Sequence, residues 1–293
     1  MLIRKLLQNA FLRLEEAGID TPELDAGILL GHCLCKSRTE LYLMADEELS
    51  EEKEKLFLSF LNRREQREPL AYVLGFQEFW SLDFLVSPDV LIPRPETELL
   101  LEKALKIGSQ RIQNPGVILD LCCGSGVIAI ILAKELGRKV LAIDLSMAAL
   151  LVARENAKKH SVSHLVSFLQ SDLLSALKAV PCISLVVSNP PYVSKQDITS
   201  GLQPEVGRYE PHLALDGGDK GLEIIQRINN ELRYRMLPEA ELFMEIGTEQ
   251  GTNVLSIFGK EKKLTKSFTE LIIEKDYAGH DRIFHGKLET LQV

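Results

Sequence analysis

The apolar positions of this chain change their period twice. From residue 1 to about 74 they recur at helical spacing. Leu2, Leu6, Leu7, Ala10, Phe11 and Leu14 form one stripe, and Leu24, Ile28, Leu29 and Cys33 a second. Thr21 followed by Pro22 is a helix-start signal, as is Ser50 ahead of the charged, amphipathic run Glu51–Arg64. Over residues 75–93 the spacing shortens. Phe76, Phe79, Trp80, Leu82, Phe84 and Val86 predict a short hairpin. The Pro-rich run Ile92–Glu98 reads as a stiff linker that enters a helix ending near Ser109.

From Val117 onward, short apolar β-branched runs alternate with helical ones. Val117–Leu121, Val140–Ile143, Leu165–Leu169 and Ile183–Val187 read as buried strands, with helices over Val127–Leu136 and Ser146–Lys159. After a long loop the pattern predicts a helix over Asp219–Met236 and a strand over Leu242–Ile246. Two weaker strands, Ser267–Ile272 and Arg282–His285, close the sheet with an antiparallel edge. The whole predicts an α/β fold, a doubly wound, seven-stranded, Rossmann-like sheet, preceded by a small all-helical N-terminal domain. The expected divisions are a helical domain at 1–74, a hairpin and linker at 75–98, and the sheet domain at 99–293.

Composition narrows the function classes. An apolar fraction of 45% is that of an ordinary globular chain, and 293 residues can bury a large core. A net charge of −8 argues against an unspecific nucleic-acid binder, which needs a basic surface to neutralise phosphates. The most apolar stretch, Val127–Ala133, is too short to span a bilayer, and the amphipathic start does not read as a signal peptide. The five cysteines are Cys33, Cys35, Cys122, Cys123 and Cys182. Their odd number and tight pairs do not suit a disulfide framework or a zinc site, so free buried thiols in a reducing cytoplasm are expected, with no metal.

Chemistry concentrates at the carboxyl ends of the predicted strands. The fourth strand runs into Asn189-Pro190-Pro191-Tyr192. Neither proline can donate a backbone hydrogen bond, both fix φ, and Pro190 pushes Asn189 toward an extended conformation. Such a loop offers the Asn189 side-chain oxygen and the Pro190 carbonyl as two acceptors, with Tyr192 as an aromatic face. That set suits an amide or exocyclic NH2 group. The first strand ends in Asp120-Leu121-Cys122-Cys123-Gly124-Ser125-Gly126, a turn whose glycines let a ligand approach the backbone. The second ends at Asp144, placed to accept two ribose hydroxyls. Alone, Gly124-Ser125-Gly126 with Ala129 and Asp144 fits either a nicotinamide dinucleotide or S-adenosylmethionine. Two features favour the latter. Asp120 suits a cationic amino-acid moiety and would be unwelcome beside a pyrophosphate. Ser171-Asp172, at the end of the third strand, can read an adenine amino group. With the Asn-Pro-Pro-Tyr loop, this is the layout of an S-adenosylmethionine-dependent amino methyltransferase.

The chain resembles, nearly end to end, the HemK/PrmC family of protein-(glutamine-N5) methyltransferases. The resemblance rests on Glu68-Pro-Leu-Ala-Tyr-Val-Leu-Gly75, Leu91-Ile-Pro-Arg-Pro-Glu-Thr-Glu98, the glycine turn and Asn189-Pro-Pro-Tyr192. It extends through Tyr209-Glu-Pro211 with Ala214-Leu215, Glu245-Ile-Gly247 and Asp276-Tyr-Ala-Gly-His-Asp-Arg282. It implies methyl transfer from S-adenosylmethionine, leaving S-adenosylhomocysteine, to the glutamine of the Gly-Gly-Gln motif of class-1 peptide release factors. No membrane and no direct nucleic-acid partner is expected. The helical domain would dock the release factor, and Pro93–Glu98 would lie over the cofactor. The family's turn usually begins with a glycine where Cys122 stands, so strain is expected there if φ is positive. Leu173 takes the place of an aromatic residue that packs on adenine in some relatives.

Asn189, Pro190 and Tyr192 are the expected catalytic residues, and Pro191 joins them in holding substrate. Asp120, Cys122, Cys123, Gly124, Ser125, Gly126, Asp144, Asp172, Leu173 and Asn189 are the expected cofactor contacts. Arg94 is expected either to touch the ligand or to form an ion pair joining the two domains. His212 reads as an ordinary loop histidine, so no general base is assigned. Two other readings remain open from the residues: a methyltransferase for exocyclic amines in nucleic acid, which would need base flipping, and a non-catalytic S-adenosylmethionine-binding subunit.

Overall fold

The computed structural model describes residues 1–111, 116–259 and 266–290. They form two compact units. The first comprises Met1–Phe76 together with Gln203–Tyr209, and the second Gln77–Leu202 with Glu210–Val293.

The first unit is helical: α1 (Ile3–Glu16), α2 (Pro22–Leu34), α3 (Arg38–Leu43), α4 (Glu51–Glu65) and α5 (Leu70–Leu74). Ser37 and Ser50 cap α3 and α4, each hydroxyl accepting a backbone N–H three residues on. The predicted stripes meet in one core, in which Leu6, Leu14, Leu29 and Leu30 pack with Phe57 and Leu61. Among these side chains sits one ion cluster. Arg64 pairs with Asp25 at 2.8 Å and with Glu205 at 3.1 Å, and Arg67 holds the second oxygen of Glu205 at 2.8 Å. The Tyr209 hydroxyl adds a 2.7 Å bond to the Gln66 carbonyl. A segment from late in the chain thus belongs to the helical unit, which the boundary at residue 74 did not anticipate.

A hairpin of β1 (Phe76–Phe79) and β2 (Leu82–Leu85) follows, all of it but Phe76 in the second unit. Its two-residue turn puts Trp80 and Ser81 at φ 57° and 56°, the geometry that matches strand twist. Next are α6 (Pro95–Arg111), β3 (Val117–Leu121), α7 (Val127–Leu136), β4 (Val140–Asp144), α8 (Met147–Lys159), β5 (Val166–Gln170) and β6 (Ile183–Ser188). The expected linker is shorter than its sequence suggests, because Pro95 opens α6.

The predicted loop after β6 contains three short helices, α9 (Lys195–Ser200), α10 (Pro204–Tyr209, in the first unit) and α11 (His212–Leu215). Then come α12 (Glu223–Leu232), β7 (Met236–Glu245), α13 (Gly251–Gly259), β8 (Lys266–Lys275) and β9 (Asp281–Thr290). The helix expected to reach Met236 stops at Leu232, and β7 begins there instead. Pro238 favours the extended conformation of Leu237 within β7, since the residue before a proline is driven out of the helical region. β8 and β9 outrun their predicted lengths because they pair antiparallel with one another along most of their course.

The seven strands lie in the order β5-β4-β3-β6-β7-β9-β8, parallel from β5 to β7, with β9 antiparallel to β7. Alternation along β3 sends Ile118 to one buried cluster and Leu119 and Leu121 to the other, so the sheet is covered on both faces. The order reverses beside β3. That switch point is where open α/β sheets form a ligand crevice at the strands' carboxyl ends.

Candidate active site

A cleft opens at that switch point. Its walls come from the turn after β3 (Cys122–Ser125), the end of β4 (Asp144) and the segment after β5 (Ser171–Leu173). Asn189 and Pro191 after β6, with Pro93 and Thr97 at the start of α6, complete them. In register, Leu121 faces Ile143 on one side and Ser188 on the other, so three strand ends deliver their next residues to one place.

The turn after β3 is held from several sides. Gly124 donates its N–H to Asp144 Oδ2 at 2.8 Å, while Asp144 Oδ1 accepts from Ser146 at 2.8 Å. Asn156, fully buried on α8, donates to the Ser125 carbonyl at 2.9 Å and exchanges two hydrogen bonds with the Leu85 backbone. A Cβ on Gly126, at φ 82°, would come within 2.9 Å of Ala153, so helix packing as well as conformation requires glycine there. Cys122 does adopt the left-handed region, at φ 62°, as its place in the turn leads one to expect. Burial, reinforced by Asp144 and Asp120, raises its thiol well above the usual range, so it is a neutral wall of the cleft.

Asp120 is completely buried beneath the turn and is not part of the cleft wall. The alternation of β3 turns it toward α7, where its Oδ2 accepts the Ala129 N–H at 2.9 Å. Its Oδ1 has no hydrogen-bond partner. Burial pushes its pKa up to about 8, with Asp144 adding to the rise and the Ala129 bond opposing it. Burial likewise raises Asp144, against the backbone bonds it accepts.

These residues fit a cofactor of the predicted kind. A Cβ on Gly124 would meet no protein atom within 4 Å, so the backbone there is open to close approach. Asp144, whose oxygens can each accept a further bond, borders the cleft, and the orphaned Asp120 oxygen leaves an unsatisfied polar atom under the turn, on a carboxyl that a nearby cation would help to ionise. Leu173 is buried at φ 48° and lines the cleft. Asp172 also lines it but is half exposed and paired with Arg227 at 2.8 Å, a partner the sequence did not suggest.

On the opposite wall, Asn189 donates its side-chain NH2 to Thr97 Oγ1 at 3.2 Å. Thr97 gives its own proton to Glu245 Oε2 at 2.7 Å, and the Tyr192 hydroxyl gives its proton to Glu245 Oε1 at 2.9 Å. Glu245 is 1% exposed at the end of β7. Burial raises its pKa, and the Thr97 and Tyr192 bonds only partly offset that. Tyr192 is therefore turned to Glu245 and, like buried Pro190, is not among the residues lining the cleft. Asn189 and Pro191 are. Arg94 pairs with Glu210, and both belong to the second unit, so the ion pair expected to join two domains lies inside one. His212 is exposed and does not line the cleft.

The five cysteines are free, but only Cys33 and Cys123 are buried. Cys35 and Cys182 are exposed, contrary to expectation, because Cys35 caps the end of α2 and Cys182 precedes β6. No helix among the described residues is long and apolar enough to cross a membrane.

Known proteins share this arrangement at the level of sequence. Residues 5–75 match the PrmC N-terminal domain and residues 95–237 the methyltransferase small domain. A release factor glutamine methyltransferase of Nitratidesulfovibrio vulgaris is 38% identical over 99% of this chain and 96% of its own length. One from Vibrio cholerae is 39% identical over 98% of this chain and 97% of its own. The chain belongs to the release factor glutamine methyltransferase family. Among solved structures, a methyltransferase from Pyrococcus furiosus aligns with a TM-score of 0.51 at 16% identity, over 77% of this chain and 98% of its own. The hMettl16 catalytic domain in complex with an RNA hairpin aligns at 0.53 and 15% identity, over 81% of this chain and 80% of its own. Both are likenesses of fold.

Proposed function

We propose that this family member transfers a methyl group from S-adenosylmethionine to the side-chain amide nitrogen of the glutamine in the Gly-Gly-Gln motif of class-1 peptide release factors. The observation that carries the reading is the position of Asn189. It shares one cleft with the glycine turn and Asp144, so an amide held by the first lies within reach of a cofactor held by the others. Cys122–Ser125 would cradle the cofactor, Asp144 would take its ribose, and Leu173 and Asp172 would border its adenine. When bound, S-adenosylmethionine supplies an electrophilic methyl group on a sulfonium. The residues of the chain do the rest by positioning and electrostatics. Asn189 Oδ1, on the cleft wall, accepts an N–H bond of the substrate amide and fixes its nitrogen, and the carbonyl of Pro190, which does not line the cleft, would take the second only if the seated substrate reaches past that wall. The buried carboxylates of this region suit a site in which positive charge passes to the substrate nitrogen. That nitrogen becomes strongly acidic once methylated and releases its proton to solvent, so no general base is required.

The helical unit supplies the second contact for the release factor. Tyr42 and Leu43, adjacent on α3, are 62% and 82% exposed. They lie beside a cavity of about 330 Å³ lined by Leu7, Phe11, Arg38, Leu41 and Tyr42. A cytoplasmic location, where release factors work, belongs to the same reading.

The test is methyl transfer from labelled S-adenosylmethionine to a purified class-1 release factor, beside a Gln→Ala variant of its Gly-Gly-Gln motif. Label on the wild-type factor alone is expected, and an Asn189→Ala enzyme should lose it. No label on either factor, from an enzyme that still binds the cofactor, would overturn the reading in favour of an exocyclic amine or a binding subunit.

A further inference from the structure

Thr97 and Glu245 have no place in the reaction as described so far, yet both are buried and joined to Asn189 by a chain of hydrogen bonds, with Thr97 on the cleft wall beside it. A threonine hydroxyl has one proton and two lone pairs. Here the proton goes to Glu245 at 2.7 Å, so Thr97 can offer Asn189 only a lone pair. The side of the Asn189 amide that faces Thr97 must therefore be its NH2, as the 3.2 Å contact has it. The reversed amide would set two acceptors against each other. The carboxamide oxygen is left on the other side of a residue that lines the cleft.

We propose that Thr97 and Glu245 are positioning residues that orient and polarise Asn189 for methyl transfer. The inference rests on the function proposed above. The hydrogen bonds run in one sense, from the Asn189 NH2 to the Thr97 hydroxyl to the Glu245 carboxylate. Each bond in such a chain strengthens the next, and a site away from water amplifies the effect. The negative charge on Glu245 makes Thr97 a better acceptor, which draws electron density toward Asn189 Oδ1. That oxygen then accepts more strongly from the substrate NH2.

The gain is largest in the transition state. The substrate nitrogen donates its lone pair to the methyl carbon as the methyl–sulfur bond breaks and that electron pair returns to sulfur. The nitrogen becomes positive, and its N–H groups become stronger donors until one proton leaves to solvent. An interaction that strengthens only then raises kcat and leaves KM nearly unchanged. Tyr192 completes the device by occupying the other Glu245 oxygen at 2.9 Å, which keeps the carboxylate from rotating away from Thr97. The groups bearing on Glu245 are the Thr97 and Tyr192 hydroxyls, Arg282, which favours its ionised form, and Glu96, which opposes it.

The decisive experiment compares wild type with Thr97→Val, Thr97→Ser and Glu245→Gln. It measures kcat and KM for release-factor methylation, affinity for S-adenosylhomocysteine, and the Asn189 side-chain NH2 resonance by 15N NMR. Thr97→Val keeps the shape and loses the hydroxyl. It should lower kcat by about 10- to 100-fold, with KM and cofactor affinity within about threefold, and should move the NH2 resonance. Thr97→Ser should restore most of the rate. Glu245→Gln should lower kcat similarly. It should also abolish the acid limb of the wild-type pH profile, which falls as Glu245 takes up a proton. A Thr97→Val enzyme with wild-type kcat and an unmoved resonance would overturn the proposal, as would a kcat loss matched by an equal loss of cofactor affinity. If wild-type enzyme transfers no label, the proposed function fails instead, and the NMR arm still decides whether Thr97 holds Asn189.

Discussion

Buried charge is handled in opposite ways by the two units. In the helical unit, Asp25, Arg64 and Glu205 form a cluster in which both carboxylates meet a guanidinium. Burial pushes Glu205 up, but its hydrogen bonds from Arg67 and Arg64 hold it below the ordinary range. At the cleft, Asp120, Asp144 and Glu245 receive only N–H and O–H groups, and burial raises all three. A satisfied ion cluster fixes structure, whereas buried carboxylates with no ion-pair partner in contact suit a site that must host positive charge. The first unit keeps its electrostatics to itself, and the second leaves its own unfinished.

The sharpest way to break this contrast is to remove one member from each unit. Arg64→Ala strands Asp25 without its cation. It should lower unfolding free energy by about 3–5 kcal/mol in a denaturant titration. A loss below about 1 kcal/mol would mean the cluster does not hold the helical unit together. Asn189→Ala should do the reverse, cutting kcat/KM by about 10²- to 10³-fold while the denaturation midpoint stays put.

Asp120 offers a subtler comparison. Its folded pKa, near 8, lies above its unfolded value. The protonated form therefore stabilises the fold below the ordinary aspartate range, and that stability is lost as pH rises through about 8. Asp120→Asn keeps an acceptor for Ala129 and should remove this slope, giving a variant more stable than wild type at alkaline pH by roughly 1–3 kcal/mol. Parallel stability–pH curves for the two proteins would contradict it. The same variant should bind S-adenosylhomocysteine more weakly if Asp120 ionises to meet the cofactor's amino group.

Smaller effects sharpen the remaining edges. Cys122→Gly relieves a left-handed φ of 62° and should add about 1 kcal/mol of stability, with cofactor bound a few-fold more tightly. Calorimetric titration would expose an unchanged or weaker affinity. Tyr42→Ser with Leu43→Ser should raise KM for a whole release factor by about 3- to 10-fold and leave KM for a short Gly-Gly-Gln peptide alone. Equal effects on both substrates would remove α3 from the docking surface.

What the sequence disclosed follows from the same division. The glycine turn, Asp144 and Asn189 were legible because each ends a strand or needs a residue type that few other settings demand. Their partners were not. Thr97 stands 92 residues from Asn189 and 148 from Glu245, and neither lies in a local pattern that reveals the contact. Glu205 stands 141 residues from Arg64, so a boundary drawn by period at residue 74 could not include it. The helices after β6 have four to six residues, too few for a period to register. Hydrophobic spacing alone carried the helix that ends at Leu232 on into β7, where Pro238 keeps Leu237 extended. Asp120 was legible as a residue but not as a buried one, because the alternation that turns it under the cleft depends on the register of β3.

The most direct measurement is to incubate wild-type and Asn189→Ala enzymes with S-adenosylmethionine and a purified class-1 release factor, then locate methyl groups by peptide mass spectrometry. One methyl on the glutamine of the Gly-Gly-Gln motif with wild type, and none with the variant, is the predicted result. An unmodified glutamine after exposure to wild-type enzyme that binds its cofactor would contradict the account.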